Sequence, residues 1–174
     1  MKVYLIKNKD NKRNWLSILF NIIQRDFNLS YNQDDLSYNE YGKPFINGSP
    51  LYFNVSHSSL LLAIAISTKD VGIDIEKVKE RKHIDKIVNK AFLEPEKNVY
   101  HNNKDINYFY EIWTKKEAFV KLIGTGIVGY FNNVPEKYHF YVKTNKYTID
   151  NEDYYLSIAS FNSIERNNWD IIYE

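Results

Sequence analysis

The sequence predicts an α+β fold, and three neighbouring segments carry most of that prediction. Residues 60–66 form a continuous apolar run of the length expected for a strand that is buried on both faces. Residues 71–76 alternate between apolar residues and small or acidic ones, which is typical of a strand with one inward and one outward face. Residues 108–123 form the strongest predicted helix, which ends at Gly124, a favoured cap residue.

The remaining elements follow from weaker patterns of the same kind. In chain order, we predict a strand at 3–6, an amphipathic helix at about 12–27, a loop at 28–40, a strand at 52–56, a helix at 83–92, and strands at 138–142, 154–161 and 169–173. The first helix has one apolar stripe, formed by Trp15, Ile18, Leu19, Ile22 and Ile23. Short strands joined by Asn-rich turns indicate mostly antiparallel pairing.

Composition limits the class of protein. A chain of 174 residues, with 44% hydrophobic and 26% charged residues, fits one globular unit. The net charge of +1 argues against a nucleic-acid partner, which normally requires a clustered basic excess. The absence of cysteine excludes disulfides, thiolate catalysis and cysteine zinc sites. No run approaches the ~18 consecutive apolar residues of a membrane span, so we expect a soluble, cytoplasmic protein with no membrane partner.

Two acidic residues of the predicted strand at 71–76 are the first candidate site residues. Asp74 and Glu76 lie two residues apart, so their side chains leave the same face with backbones about 7 Å apart. Such a pair can converge on a hard cation such as Mg²⁺, which prefers oxygen ligands. Gly72 precedes them on that face, and we expect it to leave room for a ligand. A solvated strand face is the alternative interpretation.

The predicted helix at 108–123 supplies a second group. Trp113, Glu117 and Lys121 are spaced four residues apart, so they form one stripe along the helix. Glu117 is a candidate third carboxylate ligand, and Lys121 is a candidate cation for phosphate oxygens. Three carboxylates around one point repel each other unless a cation lies among them. The alternative is an ordinary surface ion pair between Glu117 and Lys121.

Two shorter segments carry polar groups that can bind an anion. Residues 42–44 read Gly-Lys-Pro, a turn composition that presents the Lys43 ammonium beside open backbone. At the end of the next predicted strand, His57 could donate a hydrogen bond to a phosphate, helped by the hydroxyls of Ser56 and Ser58. Taken singly, these segments are equally compatible with a common turn and a structural histidine.

The order of these segments is more informative than any one of them. Along the chain they are Gly42-Lys-Pro44, Phe53-Asn-Val-Ser-His-Ser58, Val71-Gly-Ile-Asp-Ile-Glu76 and Trp113-Thr-Lys-Lys-Glu-Ala-Phe-Val-Lys121. This series resembles the 4′-phosphopantetheinyl transferase superfamily, and more narrowly its Sfp-type branch. The resemblance runs from about Lys12 to Gly126, with a weaker echo at 154–161.

The resemblance implies two similar α+β halves, related by a pseudo-twofold, within a single catalytic unit of residues 1–174. The N-terminal half would span about residues 1–67, and the C-terminal half, with the metal site, about residues 68–174. Since both halves lie in one chain, a monomer is expected. The segment before the first helix is shorter than is usual in that branch. Its phosphate-binding charge is replaced only by Lys7, Lys9 and Lys12.

The resemblance also implies roles for individual residues. It implies that Mg²⁺ is held by Asp74, Glu76 and Glu117. It implies that coenzyme A is bound by Arg13, Lys43, Pro44, Ser56, His57 and Lys121. The implied catalytic residues are Glu117, Lys121 and Glu96.

The implied reaction is the Mg²⁺-dependent transfer of 4′-phosphopantetheine from coenzyme A to a serine of an apo acyl carrier protein or peptidyl carrier domain. The other product is 3′,5′-ADP. Glu117 or Glu96 would take the serine proton, directly or through water. Two alternatives stay open: a member that binds coenzyme A or carrier proteins with little activity, and an unrelated Mg²⁺-dependent phosphodiesterase. A purely structural domain would require all four segments to coincide by chance.

Overall fold

The computed structural model describes residues 1–7, 14–126, 139–164 and 170–173. Its helices are α1 (Trp15–Phe27), α2 (Ile84–Ala91), α3 (Glu94–Asn103) and α4 (Ile106–Ile123), with a short 3₁₀ helix at Gln33–Asp35. Its strands are β1 (Lys2–Lys7), β2 (Leu36–Tyr38), β3 (Pro44–Ile46), β4 (Tyr52–Ser58), β5 (Leu61–Ser67), β6 (Val71–Lys77), β7 (Tyr141–Ile149), β8 (Glu152–Ser160) and β9 (Asp170–Tyr173). Within these ranges, no helix is both long enough and apolar enough to cross a membrane.

Two sheets and one hairpin organise the strands, which confirms the predicted α+β class. Strands β4-β5-β1-β9 form a four-stranded sheet, β6-β8-β7 form a three-stranded sheet, and β2 pairs with β3. Neighbouring strands are antiparallel, except that β9 runs parallel to β1. β9 thus completes a sheet whose other strands come from the first 67 residues. The two similar halves and their boundary near residue 67 stay predictions.

The two sheets pack face to face, with a helix on each outer side. Strand β5 is buried along nearly its whole length, as predicted, because one set of its side chains packs against α1 and the other faces β6 and β8. On the far side of the three-stranded sheet, α4 packs against β8 through Ala118, Phe119 and Leu122. The prediction of one outward face at residues 71–76 is therefore wrong. Helix α4 covers that face, and residues 71–75 are all buried.

The sequence patterns miss helix α3, the short strands β2 and β3, and the 3₁₀ helix at Gln33–Asp35. Helix α3 is mostly polar and has no apolar stripe, but Glu96 caps it by accepting the Leu93 backbone N–H at 2.7 Å. Strand β2 interrupts the predicted loop at 28–40, and its three residues are too few to show a period of two. The starts of the elements predicted at 12–27, 138–142 and 169–173 lie outside the described residues.

A partly buried hydrogen bond connects α1 to β1. The Tyr4 hydroxyl, in the core of the four-stranded sheet, donates to Asp26 Oδ2 at 2.6 Å. Arg25 Nε donates to the other Asp26 oxygen at 2.8 Å. The hydrogen bond from Arg25, helped by that from Tyr4, lowers the pKa of Asp26 from 3.8 to about 2. An ionised Asp26 therefore stabilises the folded state at neutral pH.

We expect Asp26→Asn to destabilise the protein by about 1–2 kcal/mol at pH 7. Because the folded pKa lies below the unfolded value, the contribution of Asp26 is fully present above about pH 4 and is lost as the pH falls towards 2. Thermal unfolding of wild type and variant at pH 7 and pH 3 measures the difference, which should shrink at pH 3. Asp150→Asn, whose exposed carboxylate pairs with Lys7, is the control. An equal difference at both pH values would contradict this account.

Candidate functional site

The candidate site lies where α4 crosses β6, and Gly72 makes that crossing close. A Cβ atom at position 72 would lie 2.9 Å from the Leu122 Cα, and closer still to the Ala118 carbonyl oxygen and the Leu122 nitrogen. The expectation that Gly72 leaves room for a ligand is therefore wrong, because the α4 backbone fills that room. The close packing instead brings one face of α4 over the acidic residues further along β6.

A cavity of about 570 Å³, called the carboxylate cavity below, opens beside this crossing. Its wall contains the three predicted carboxylates, Asp74, Glu76 and Glu117, together with Trp113 and Lys121 of α4. The remaining lining residues are Val55, Ser56, His57, Ser58, Ser59, Lys79 and Arg81. The stripe predicted along α4 and the acidic pair predicted on β6 therefore face the same space.

Lys121 reaches from α4 across to β6. Its ammonium donates to Asp74 Oδ1 at 2.7 Å and to Ser56 Oγ at 2.8 Å. Asp74 is buried, and its second oxygen, Oδ2, has no hydrogen-bond partner among the described residues. A buried acceptor without a partner is unfavourable, so this oxygen is available to a ligand. The ordinary surface pair between Glu117 and Lys121 is not what the structure shows, since Glu117 is only 9% exposed and Lys121 pairs with Asp74.

Burial, and then the charge of Asp74, raises the pKa of both neighbouring carboxylates, Glu76 and Glu117. In Glu117, these two causes raise the pKa from 4.5 to about 7, against the opposing charge of Lys121. Burial and the Asp74 charge also raise the pKa of Glu76, and the hydrogen bond from Ser58 opposes that shift. Carboxylates that resist ionisation in this way are stabilised when a cation binds between them.

We expect Glu117→Gln to stabilise the metal-free protein at pH 8, by about 1–3 kcal/mol. Because the folded pKa of Glu117 lies above its unfolded value, the wild type loses stability as the pH rises from 4.5 through about 7, and the variant lacks that loss. Thermal unfolding in EDTA at pH 5.5 and pH 8 measures the difference, which should be larger at pH 8. Glu111→Gln, on the same helix but paired with Lys115 and more exposed, is the control. A variant no more stable than wild type at pH 8 would contradict the expectation.

Mg²⁺ fits the chemistry of the carboxylate cavity. As the side chains stand, no three His, Asp or Glu residues of the described ranges form a metal centre. The donor set is nevertheless all oxygen, and the buried Asp74 Oδ2 lacks the partner that a hard divalent cation would supply. Glu76 and Glu117 border the same space. In the structure, the Lys121 ammonium is the countercharge beside Asp74.

The Gly-Lys-Pro turn lies towards the C-terminal end of α4. A second cavity, of about 280 Å³, is bordered among others by Lys43, Pro44, Glu117 and Lys121. The Lys43 ammonium contacts the end of the helix, where it donates to the Leu122 carbonyl at 2.7 Å and pairs with Asp70 at 3.3 Å. Burial lowers the pKa of Lys43, and Asp70 opposes that shift. The predicted contact of Lys43 with coenzyme A stays a prediction.

Strand β4 places the predicted phosphate contacts on different sides. Ser56 is buried, and its hydroxyl bonds to Asp74 and to β6, whereas His57 is exposed at the wall of the carboxylate cavity. Burial raises the pKa of Asp74, and Lys121, Ser56 and, more weakly, His57 oppose that shift. His57 therefore lies within electrostatic range of the acidic cluster.

One predicted catalytic residue, Glu96, has its contacts away from the carboxylate cavity. Glu96 does not line it; its Oε2 atom pairs with the Lys116 ammonium at 2.8 Å and caps α3. Lys116 is 6% exposed, so this ion pair lies largely inside the protein. Arg13 lies outside the described residues. Both predicted roles stay predictions.

Two basic residues at the cavity wall were missed by the sequence patterns. Lys79 and Arg81 lie in the segment between β6 and α2. Tyr110 of α4 fixes this segment by donating from its hydroxyl to the Lys79 carbonyl at 2.9 Å. The Arg81 guanidinium lies 5.9 Å from the centre of the Trp113 ring. The signal that could have found them is the basic pair just after an acidic strand.

One family model and several known proteins are similar to this chain. The family model for the 4′-phosphopantetheinyl transferase superfamily matches residues 70–171, which include β6 and α4. A 4′-phosphopantetheinyl transferase of Bacillus subtilis is 40% identical over 93 residues, covering 51% of this chain and 40% of that protein. The 4′-phosphopantetheinyl transferase Sfp of Bacillus subtilis (strain 168) is 36% identical over 110 residues, 61% of this chain and 48% of that protein.

A third relative covers more of the chain. The 4′-phosphopantetheinyl transferase AcpT of Escherichia coli O157:H7 is 33% identical over 130 residues, 72% of this chain and 64% of that protein. Across these relatives, the chain spans roughly half of their length, from 40% to 64%.

Proposed function

Because the chain belongs to the 4′-phosphopantetheinyl transferase superfamily, we propose that it transfers 4′-phosphopantetheine from coenzyme A to a serine of an apo acyl carrier protein or peptidyl carrier domain, releasing 3′,5′-ADP. The observation that carries the proposal is the carboxylate cavity, where three carboxylates of the matched span meet Lys121. A pyrophosphate bound with a divalent cation requires such anionic ligands beside a fixed positive charge. Because residues of both predicted halves, 55–59 and 74–121, contribute to this cavity, a monomer is the proposed active unit.

Phosphate binding is assigned to the cations of the cavity wall. Asp74, Glu76 and Glu117 would hold Mg²⁺, which when bound supplies charge neutralisation at the pyrophosphate. Lys121 uses two of its three N–H donors on protein oxygens, so it retains one for a phosphate oxygen. His57, exposed at the same wall, is placed to donate another hydrogen bond.

Glu117 is the proposed acceptor of the proton that the carrier serine loses. The sequence leaves Glu117 and Glu96 as equal candidates for this role. Glu117 lines the carboxylate cavity, whereas Glu96 does not and is held in an ion pair by Lys116. A general base has to lie within hydrogen-bond reach of its proton, directly or through one water. Position therefore favours Glu117.

The second cavity is proposed to take the 3′-phosphoadenosine end of coenzyme A. It is bordered by the Gly-Lys-Pro turn and shares Glu117 and Lys121 with the carboxylate cavity. Lys43 already uses its ammonium at the end of α4, so its first contribution is to hold the turn against the helix. One nucleotide-bearing substrate could thus extend from one cavity into the other along α4.

The test is an incubation of the purified protein with coenzyme A, Mg²⁺ and a panel of apo carrier proteins, followed by intact mass. A gain of roughly 340 Da on one carrier, the mass of the phosphopantetheine group, is the expected result. EDTA should abolish the gain. Coenzyme A without a carrier is the control, because hydrolysis of its pyrophosphate under those conditions would indicate a phosphodiesterase instead.

Two negative outcomes have different meanings. If no carrier gains mass but calorimetry shows coenzyme A binding, the protein is a binding member of the family and the transfer proposal is wrong. If coenzyme A does not bind in the presence of Mg²⁺, the assignment of both cavities is wrong as well.

A further inference from the structure

Strand β4 presents polar side chains to β6 at every second position. The two strands belong to different sheets, so their backbones do not pair. Instead, side-chain oxygens of β4 accept hydrogen bonds from the backbone N–H groups of every second residue along one edge of β6. The three bonds are Ile73 N to Asn54 Oδ1 at 2.9 Å, Ile75 N to Ser56 Oγ at 3.2 Å and Lys77 N to Ser58 Oγ at 2.9 Å.

The Ser56 hydroxyl makes three hydrogen bonds, two as acceptor and one as donor. Its oxygen accepts from the Ile75 backbone and from the Lys121 ammonium, which occupies both acceptor positions. Its single proton is donated to Asp74 Oδ1 at 2.8 Å. Ser56 is 4% exposed, so water does not compete for these positions. The hydroxyl therefore holds one oxygen of Asp74 and leaves the unpartnered Oδ2 free.

Ser58, two residues further along β4, makes a similar pair of hydrogen bonds. Its oxygen accepts the Lys77 backbone N–H, and its hydroxyl donates to Glu76 Oε2 at 3.0 Å. Ser58 is 7% exposed. Each carboxylate of the β6 pair thus has its own serine on β4, with the same spacing of two residues.

We propose that Ser56 and Ser58 are positioning residues, which orient Asp74 and Glu76 for a divalent cation and do not themselves contact coenzyme A. This inference rests on the proposed function, because it concerns the same carboxylates. It replaces the predicted role of Ser56 as a coenzyme A contact, since its hydroxyl has no bonding position left for a phosphate. A hydroxyl that can only donate to a carboxylate stabilises the ionised form that a cation requires.

The experiment titrates the metal-free protein with Mn²⁺, as a stand-in for Mg²⁺, and follows bound metal by electron paramagnetic resonance. We expect Ser56→Ala and Ser58→Ala each to weaken Mn²⁺ binding about tenfold or more. Ser58→Thr, which keeps the hydroxyl, should recover most of the affinity. Ser157→Ala is the matched control, because its hydroxyl is fully buried on the same sheet as Asp74 but bonds to Thr114 and Thr144, not to a carboxylate. Melting temperatures separate a loss of folding from a loss of affinity.

A second measurement separates positioning from contact with substrate. At saturating Mg²⁺, calorimetry should give the same coenzyme A affinity for Ser56→Ala and wild type, because only the cation site is weakened. A coenzyme A affinity that stays reduced at saturating Mg²⁺ would overturn the proposal in favour of direct contact.

The outcomes distinguish this proposal from the function on which it rests. If the wild type binds Mn²⁺ and the serine variants bind it equally well, the positioning role is wrong and the proposed metal site stands. If the wild type itself fails to bind Mn²⁺, the assignment of the carboxylates as cation ligands is wrong, and the positioning role fails with it.

Discussion

Replacing Gly72 with alanine is expected to destabilise the protein by about 3 kcal/mol or more, which corresponds to a fall in Tm of about 6–12 °C for a domain of this size. The added methyl group would lie 2.9 Å from the Leu122 Cα and closer to two other backbone atoms of α4. Backbone cannot move aside as a flexible side chain can, so the whole helix would have to separate from β6. Because α4 carries Glu117 and Lys121, the same shift would open the carboxylate cavity.

Denaturant unfolding of wild type and Gly72→Ala measures this effect. Gly48→Ala is the control, since Gly48 has a positive φ of 68° but nothing within 4 Å of an added Cβ. It should lose only about 1–2 kcal/mol through backbone strain. If the two variants were equally stable, the close crossing of α4 and β6 would not be what Gly72 permits.

Asp74→Asn is expected to lower transfer activity at least about 100-fold with little change in molecular shape. The amide can still bond to Ser56, but it removes the negative charge that pairs with Lys121 and that a cation would require. Burial adds to the effect, since Asp74 is 5% exposed and water cannot replace the missing ligand. Mn²⁺ affinity should fall in parallel with activity, and excess Mg²⁺ should recover part of the rate.

The matched control for this variant is Asp153→Asn on the neighbouring strand β8. Asp153 pairs with Lys146 at 2.8 Å, and both side chains are exposed to solvent, so its change should leave activity and Mn²⁺ binding near wild type. The measurement is the initial rate of mass gain on the carrier, at low and at high Mg²⁺. An Asp74→Asn variant with normal rate at low Mg²⁺ would exclude Asp74 as a cation ligand.

Gly72→Ala and Asp74→Asn both test the contact between α4 and β6. This contact contributes residues to the core and to the carboxylate cavity. Residues on one side of each element fill the core, while Asp74, Glu117 and Lys121 meet at the edge of the same contact. A change that loosens the packing is therefore expected to lower cation affinity even where no cavity residue is altered.

Much of this arrangement could be predicted from local patterns. The apolar run at 60–66 and the alternation at 71–76 correspond to β5 and β6, and the helix expected at 108–123 is α4 within two residues. The spacing of Trp113, Glu117 and Lys121 was enough to place them on one face, because helix geometry is set by the backbone alone. The order of the four polar segments indicated the family, which the match over residues 70–171 confirms.

Other features were decided by tertiary contacts that no local pattern contains. The sequence pattern around Gly72 predicts room for a ligand, but the backbone of α4 at Ala118 and Leu122, far along the chain, fills that room. The sequence offers Ser56 as a phosphate contact, and only the positions of β6 and α4 show that its hydroxyl is fully used. Helix α3 has no sequence signature, because it is held by a cap and an ion pair to α4 and not by an apolar stripe.

One physical reason explains why some of these features could be predicted from the sequence and others could not. Periodicity and motif order depend on backbone geometry within a few residues, so the sequence by itself determined the α+β class, the main helices and strands, and which side chains share a face. The partners of a polar side chain depend on which distant segment packs against it, and the cost of leaving a buried polar group unpaired selects those partners only in the folded chain. The tertiary structure alone therefore decided that Lys121 pairs with Asp74, that Glu96 pairs with Lys116, and that each acidic residue of β6 is held by a serine of β4.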